Sequence, residues 1–172
     1  MMRYLIVLFL VSAIPAPGQN RLYFTDGSYV SIAGDKFYVG VEVNNMPVNP
    51  PGQPNVAVKS VAIPLDAFNY LQISQGNVLL HPPSNWYSSG SYECLFGLHL
   101  APEEDAGGFP IMAMILGSNG ETATSPIAGG YGYSLKRADR FLVVEIQATS
   151  SRPGAKCEMQ VVGKLFKVAE EK

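Results

Sequence analysis

Charged side chains are scarce in this 172-residue sequence. Asp, Glu, Lys and Arg make up 15% of it, and the formal net charge is −2. An ordinary soluble domain has about 25% charged residues. Proteins that bind nucleic acid or anionic membranes carry a basic patch or stripe, and this composition does not supply one. We therefore expect no nucleic-acid partner.

Histidine and cysteine are also scarce. Only His81 and His99 could act as bases near neutral pH, and neither lies in a nucleophile-elbow, zinc-protease or phosphate-loop motif. Cys94 and Cys157 have no neighbouring Cys or His at the spacing of a metal site. The sequence therefore predicts no catalytic residue and no cofactor, and we expect a protein that is not an enzyme.

No apolar run is long enough for a membrane-spanning helix. The run Leu5–Val11 has seven residues, against the roughly 20 that a span needs. Arg3 precedes this run and small residues and prolines follow it, which is typical of a secretory signal peptide, although a buried N-terminal strand is an alternative. Cleavage after Gly18 fits best and cleavage after Ala13 also fits. We expect a signal peptide over 1–18 and a secreted or periplasmic protein without stable membrane insertion after cleavage.

In an exported chain, the two cysteines are also candidates for a disulfide. An even number of cysteines in an oxidising compartment favours a disulfide, here Cys94 with Cys157. Closing a loop of this length stabilises a fold by about 4 kcal/mol in the chain-entropy model. The alternative is a pair of unbonded, buried thiols.

Alternation of apolar and polar side chains is the main pattern in the chain. In 36–43, Phe37, Val39, Val41 and Val43 alternate with polar or small residues, which predicts a half-buried strand. The same alternation recurs several times. The other alternating segments are 58–65, 70–74, 92–100, 141–148 and 159–168.

Turn residues separate these segments. Asp26-Gly27 between two apolar segments predicts a hairpin, and Pro64 suggests an edge strand or a bulge. Gly76 and Asn77 are expected to interrupt a strand. The segment 111–116 is apolar throughout, so we expect both of its faces to be covered.

These patterns predict an all-β protein. There are 17 glycines and 13 prolines, eight to ten short strand patterns and no helix pattern longer than one turn. Such spacing is typical of a sandwich or barrel. We predict a single domain over 19–172, built as a two-sheet jelly-roll sandwich of about nine short strands.

The order of four segments resembles the cohesin domain and related secreted carbohydrate-binding sandwiches. The segments are Gly34-Asp35 before the strand that ends in Asn44-Asn45, Val61–Asp66, Leu71–Ser74 followed by Gly76, and Asp139–Ile146. The resemblance covers about 34–148 and implies a nine-stranded jelly roll with a protein-binding face. Two features differ from that family: Asp66 alone represents its aromatic-Asp-Pro turn, and Arg140 stands where Gly is usual. A dockerin partner is therefore not inferred.

Aromatic residues are the candidate binding residues. Those on outward strand faces, in a loop after a Pro-Pro pair, or in a Gly-rich segment are Tyr38, Tyr70, Trp86, Tyr87, Tyr131 and Tyr133. Exposed aromatic rings bind sugar faces or anchor protein partners. The alternative for Trp86 is a structural one, in which its ring closes one end of the sandwich.

Acidic residues indicate two weaker possibilities. Glu103, Glu104 and Asp105 could hold Ca²⁺ with loop carbonyls, or they could form a solvated acidic turn. Glu42 and Glu145 lie on outward strand faces and would form a hydrolytic carboxylate pair only if their strands pair.

Three functions remain open at this level. We expect first a non-catalytic extracellular module that binds another protein through a sheet face and mediates interaction or adhesion. A carbohydrate-binding module that uses exposed aromatics to hold a polysaccharide is the alternative, and it predicts a coplanar row of aromatic rings. A hydrolase is the third, and it predicts a deep pocket with converging polar groups.

Overall fold

The computed structural model describes residues 21–23, 27–43, 55–82, 92–104, 108–118, 121–150 and 155–168. These residues form eleven β-strands. In chain order they are β1 (Arg21–Tyr23), β2 (Tyr29–Ala33), β3 (Lys36–Val43), β4 (Asn55–Pro64), β5 (Tyr70–His81), β6 (Tyr92–Ala101), β7 (Phe109–Ser118), β8 (Ala123–Ile127), β9 (Tyr131–Ser134), β10 (Phe141–Ser150) and β11 (Lys156–Phe166). No helix in this part of the chain is long and apolar enough to cross a membrane.

The strands form two antiparallel sheets. The seven-stranded sheet has the order β1-β2-β3-β11-β5-β8, and β9 also pairs with β5. The four-stranded sheet has the order β4-β10-β6-β7. The all-β two-sheet sandwich predicted from the sequence is confirmed, with eleven strand segments rather than about nine.

The core lies between the sheets and follows the period of two. Phe37, Val39, Val41 and Val43 on β3 are all buried, as the alternation predicts. The alternate residues of the other long strands meet them. They include Val61, Ile63, Leu71, Ile73, Cys94, Phe96, Leu98, Leu142, Val144, Ile146, Met159, Val161 and Leu165. Since one continuous cluster contains all of these side chains, both sheets belong to one domain.

A disulfide joins the two sheets. Cys94 on β6 and Cys157 on β11 are bonded, their Cα atoms are 6.1 Å apart, and both side chains are fully buried. The predicted pairing is confirmed. The bond lies toward the end of the sandwich where β6 begins, near Leu116 and Leu80, which are the register partners of Cys94 and Cys157.

The turn predictions had mixed outcomes. β1 and β2 form the predicted hairpin, and β4, which ends at Pro64, is an edge strand as expected. The predicted interruption at Gly76 and Asn77 is wrong, because β5 runs unbroken through both residues. The irregularity lies earlier, where the register with β11 shifts beside Gly163. Gly76 serves packing instead, since a Cβ there would collide with the carbonyl of Gln160.

The prediction for 111–116 is also wrong. This segment lies in β7, which is an edge strand of the four-stranded sheet and has only one partner strand among the described residues. Its inward residues are half-buried and its outward residues are exposed, so the strand is not covered on both faces. An all-apolar strand sequence does not distinguish a central strand from an edge strand, because that position depends on long-range pairing.

Candidate functional site: the outer face of the four-stranded sheet

The outer faces of the two sheets have opposite character. On the seven-stranded sheet, Glu42 of β3 lies directly opposite Glu158 of β11. Lys156 bridges the pair: its Nζ is 3.2 Å from Oε2 of Glu42 and also contacts Oε1 of Glu158. Nε2 of His81 is 4.0 Å from the same oxygen of Glu158. This face is therefore polar and charged.

The ion triad raises the pKa of Lys156 above its ordinary value. The main cause is the hydrogen bond to Glu158, with a further contribution from Glu42, and partial burial opposes both. A protonated lysine held between two carboxylates stabilises the sheet face. The adjacent pocket beside Gly27 and Tyr29 measures about 30 Å³, which is space for a water molecule or two.

The carboxylate pair considered from the sequence does not form. Glu42 lies on the outer face of the seven-stranded sheet, and Glu145, in β10, lies on the outer face of the other sheet. The cross-strand partner of Glu42 is Glu158, which sequence reasoning missed. Glu158 lies between buried Cys157 and Met159 and therefore faces outward, but its opposition to Glu42 depends on the register between β3 and β11.

On the four-stranded sheet, by contrast, four outward residues form a straight row across all strands. Val58 of β4 is opposite Gln147 of β10, Gln147 is opposite Leu95 of β6, and Leu95 is opposite Ile115 of β7. We call these four residues the Val58–Ile115 row. Its two ends are exposed, with 59% of Val58 and 64% of Ile115 accessible to solvent, and Val56 nearby is 40% exposed.

The residues around the row define its charge. Glu93 and Glu145 are the ionised groups that β4, β6, β7 and β10 turn outward among the described residues, and no outward Lys or Arg lies in these strands. His99 also faces outward, and its ring lies over Gly97. The face therefore exposes aliphatic side chains on its two edge strands, with Gln147 and the carboxylates of Glu145 and Glu93 on the strands between them.

Local sequence explains why these apolar side chains face solvent. In β4 the buried residues are Val61 and Ile63, so period two turns Val56 and Val58 to the opposite side. In β7, Ile115 faces outward because its neighbours Met114 and Leu116 pair with buried, inward-facing residues of β6. Sequence reasoning did not select these residues. The sequence feature that could have identified them is the position of Val56 and Val58, which fall on the strand face opposite to the buried residues of β4.

The predicted aromatic candidates lie elsewhere. Tyr38 is half-buried on the outer face of the seven-stranded sheet, opposite Ser31 and Val162. Tyr70 is half-buried on the same face, with its ring centroid 4.8 Å from that of Phe166. Since β11 separates their strands, Tyr38 and Tyr70 do not meet.

The two tyrosines of β9 differ in exposure although they share one strand face. Tyr133 is half-buried, and its hydroxyl donates a hydrogen bond of 3.3 Å to the carbonyl of Ile111 in β7. Tyr131 is 53% exposed. Tyr133 and Phe109 border a pocket of about 340 Å³ that Lys136 and Asp139 also line. The described candidates therefore form no continuous row of exposed rings.

The remaining candidates are placed as follows. Trp86, Tyr87 and Asp105 lie outside the described residues. Glu103 and Glu104 are exposed, and in the described ranges no three His, Cys, Asp or Glu side chains converge as metal ligands would. His81 is half-buried at the end of β5, beside Glu158.

A comparison with known protein families and with curated proteins found no match to this sequence.

Proposed function

We propose that this protein is a non-catalytic extracellular module that binds another protein through the outer face of the four-stranded sheet. The observation that carries the proposal is the Val58–Ile115 row, because its two aliphatic ends and the neighbouring Val56 are exposed on one face of the sheet. The opposite sheet, with its paired charges, offers no comparable apolar surface in the described ranges.

The charge of the face indicates the kind of partner. An interface core is depleted of charged residues and surrounded by polar ones, and complementary charge across the rim favours association. With Glu93 and Glu145 as the outward ionised groups of the described strands, the partner presents Lys or Arg alongside its apolar side chains. Weaker binding at higher salt is then expected, since rim charges are screened.

Export belongs to the same proposal. The N-terminal sequence is typical of a signal peptide, and a buried disulfide between the sheets forms and persists in an oxidising compartment. The low charge content and the interaction face fit a role in adhesion or extracellular assembly.

Site-specific photocrosslinking tests the binding face. A photoreactive residue replaces Val58 in one variant and Val168 in another, because Val168 is 50% exposed and lies just after β11 in the other sheet. In the producing cells, we expect one discrete protein adduct from position 58 and none from position 168. Equal adducts from both positions would reject the proposed face.

The isolated partner then allows a measurement of affinity. Val58→Lys should weaken binding roughly tenfold or more, since it removes an apolar contact and inserts a buried charge. Val168→Lys is the matched control and should leave affinity unchanged. Equal loss in both variants would indicate a general effect on the fold rather than a binding face.

Carbohydrate binding is the second candidate, and a different observation favours it. Phe109 is 72% exposed beside the pocket lined by Tyr133, Lys136 and Asp139, which combines an aromatic surface with polar groups. A glycan array with the mature protein separates the two functions. Sugar binding that is lost in Phe109→Ala or Trp86→Ala, and kept in Val58→Lys, would replace the leading proposal.

A further inference from the structure

The four-stranded sheet has two edges, and they differ in their protection. An edge strand presents amides and carbonyls that can pair with a strand of another molecule, and proteins block this with prolines, inward charges or short strands. β4 has such devices: it ends in Pro64, and Lys59 turns inward so that its Nζ donates a 2.5 Å hydrogen bond to the carbonyl of Glu42.

The edges of the seven-stranded sheet are short. β1 has three residues, β9 has four, and β8 has five residues that include Pro126. A strand of three to five residues gives little length for pairing, and proline lacks the amide donor. The described edges of this sheet are therefore poor templates for strand addition.

β7 is different over most of its length. It has ten residues without a charged side chain, and among the described residues it pairs with β6 alone. Its Pro110 and its register shift are confined to the first three residues. From Met112 onward the pairing with β6 is regular. A long, regular, apolar edge is the kind of strand that accepts another strand.

We propose that β7 pairs antiparallel with β7 of a second copy of this chain, which joins two four-stranded sheets into one continuous sheet of eight strands. The absence of charged side chains in β7 supports a second copy as the partner, because two uncharged strands meet without repulsion. Closure supports it too: β4 resists strand addition, so the association ends at a symmetric dimer instead of continuing into a fibre. The inference stands on the β7 edge and does not rest on the proposed binding function.

The pleat defines the register of this dimer. Directly opposed residues of an antiparallel pair lie on the same face of the sheet. The outward residues of the regular segment are Ala113, Ile115 and Gly117, and Ile115 is the middle one. Pairing centred there places Ile115 opposite Ile115 of the second copy and Ala113 opposite its Gly117.

This register has two consequences. It covers Ile115, which is 64% exposed in the single chain, with an equivalent β-branched side chain. It also joins the Val58–Ile115 rows of both copies end to end. The dimer therefore carries one row of double length across eight strands, apolar except for Gln147 of each copy.

Sedimentation velocity of the mature protein at about 100 µM tests the dimer. Wild type should sediment as a dimer, whereas Ile115→Lys and Ile115→Glu should each be monomeric. The expected loss of affinity is roughly a hundredfold, because two facing isoleucines are replaced by like charges that face each other. An equimolar mixture of the two variants should recover the dimer, since Lys then faces Glu.

A matched control and a second measurement separate this pairing from other causes. Val58→Lys lies on the same face at the opposite edge and should leave the dimer intact, although it disrupts the proposed partner site. Amide hydrogen exchange over 112–117 should slow with increasing protein concentration in wild type and in Val58→Lys. A monomeric wild type, a dimer that survives both Ile115 substitutions, or a mixture that stays monomeric would overturn the proposal.

Discussion

The carboxylate of Asp66 and the guanidinium of Arg140 meet where β4 ends and β10 begins. Nε of Arg140 is 3.2 Å from Oδ1 of Asp66, and the guanidinium carbon lies 5.9 Å from the ring centroid of Phe141. The amide of Leu65 donates a 2.7 Å hydrogen bond to the carbonyl of Arg140 beside this pair. Asp66 and Arg140 thus link the end of β4 to the start of β10.

This ion pair should contribute little to stability. Its side chains are 56% and 59% exposed, and exposed pairs contribute about 1 kcal/mol or less. A double-mutant cycle with Arg140→Ala and Asp66→Asn, followed by urea unfolding, measures the coupling energy. The pair of Lys164 with Asp35, at 3.9 Å, is a comparison of similar exposure. A coupling energy above about 2 kcal/mol at Asp66 would contradict this expectation.

The disulfide should contribute far more. Replacing Cys94 and Cys157 together with alanine should lower the free energy of unfolding by about 4 kcal/mol, since the unfolded chain loses a loop closure and both sites lie in the core. Urea unfolding with and without a reducing agent provides the control. Reduction should destabilise wild type by a similar amount and leave the alanine variant unaffected. A wild type that is insensitive to reduction would argue against this contribution.

Lys156 should produce a loss of stability at alkaline pH. Its pKa is raised above the ordinary 10.5 because the protonated form is bound by Glu158 and Glu42. A group whose folded-state pKa lies above its unfolded value stabilises the fold below the unfolded pKa, and this stabilisation disappears as pH rises through the folded pKa. The urea midpoint of wild type should therefore approach that of Lys156→Met as pH increases beyond 10.5. A constant difference between the two proteins from pH 9 to 12 would refute the coupling.

Gly129 should tolerate no side chain. A Cβ at this position would overlap the carbonyl of Ser74, which is backbone and cannot rotate away. Gly129→Ala should destabilise the protein by roughly 2 kcal/mol or more, because β5 or the β8–β9 connection must shift. Gly117→Ala is the control, since the nearest atom to its added Cβ is 3.9 Å away. Thermal unfolding of both variants measures the difference, and equal stability would show that the connection yields without cost.

Sequence patterns predicted what depends on local periodicity. Period two assigned Phe37 and its neighbours on β3 to the core, and the cysteine count and the predicted export signal suggested the bond between Cys94 and Cys157. The position of a strand in its sheet is a different kind of property. β7 has a sequence that suits a buried strand, and only long-range pairing places it at an edge and exposes Ile115.

The candidate site required the same long-range information. Val58 and Ile115 are more than fifty residues apart, and each alone is an ordinary strand residue. They belong to one row because β10 and β6 align them in register. Tyrosines attract attention in a sequence because of their chemistry, yet Tyr133 is held by the carbonyl of Ile111 and Tyr70 by the ring of Phe166.

The bond between β6 and β11 also defines how the protein responds to mechanical force. Tension applied to the two ends of the chain passes from Cys94 to Cys157 through the sulfur atoms, so the 63-residue separation between them never lengthens. About 220 Å of extended chain is thereby withheld from stretching. β7 and β10 lie wholly inside this protected loop, and so does most of β6. A partner that holds the four-stranded sheet would therefore keep most of its docking face in shape while the ends of the molecule are being pulled.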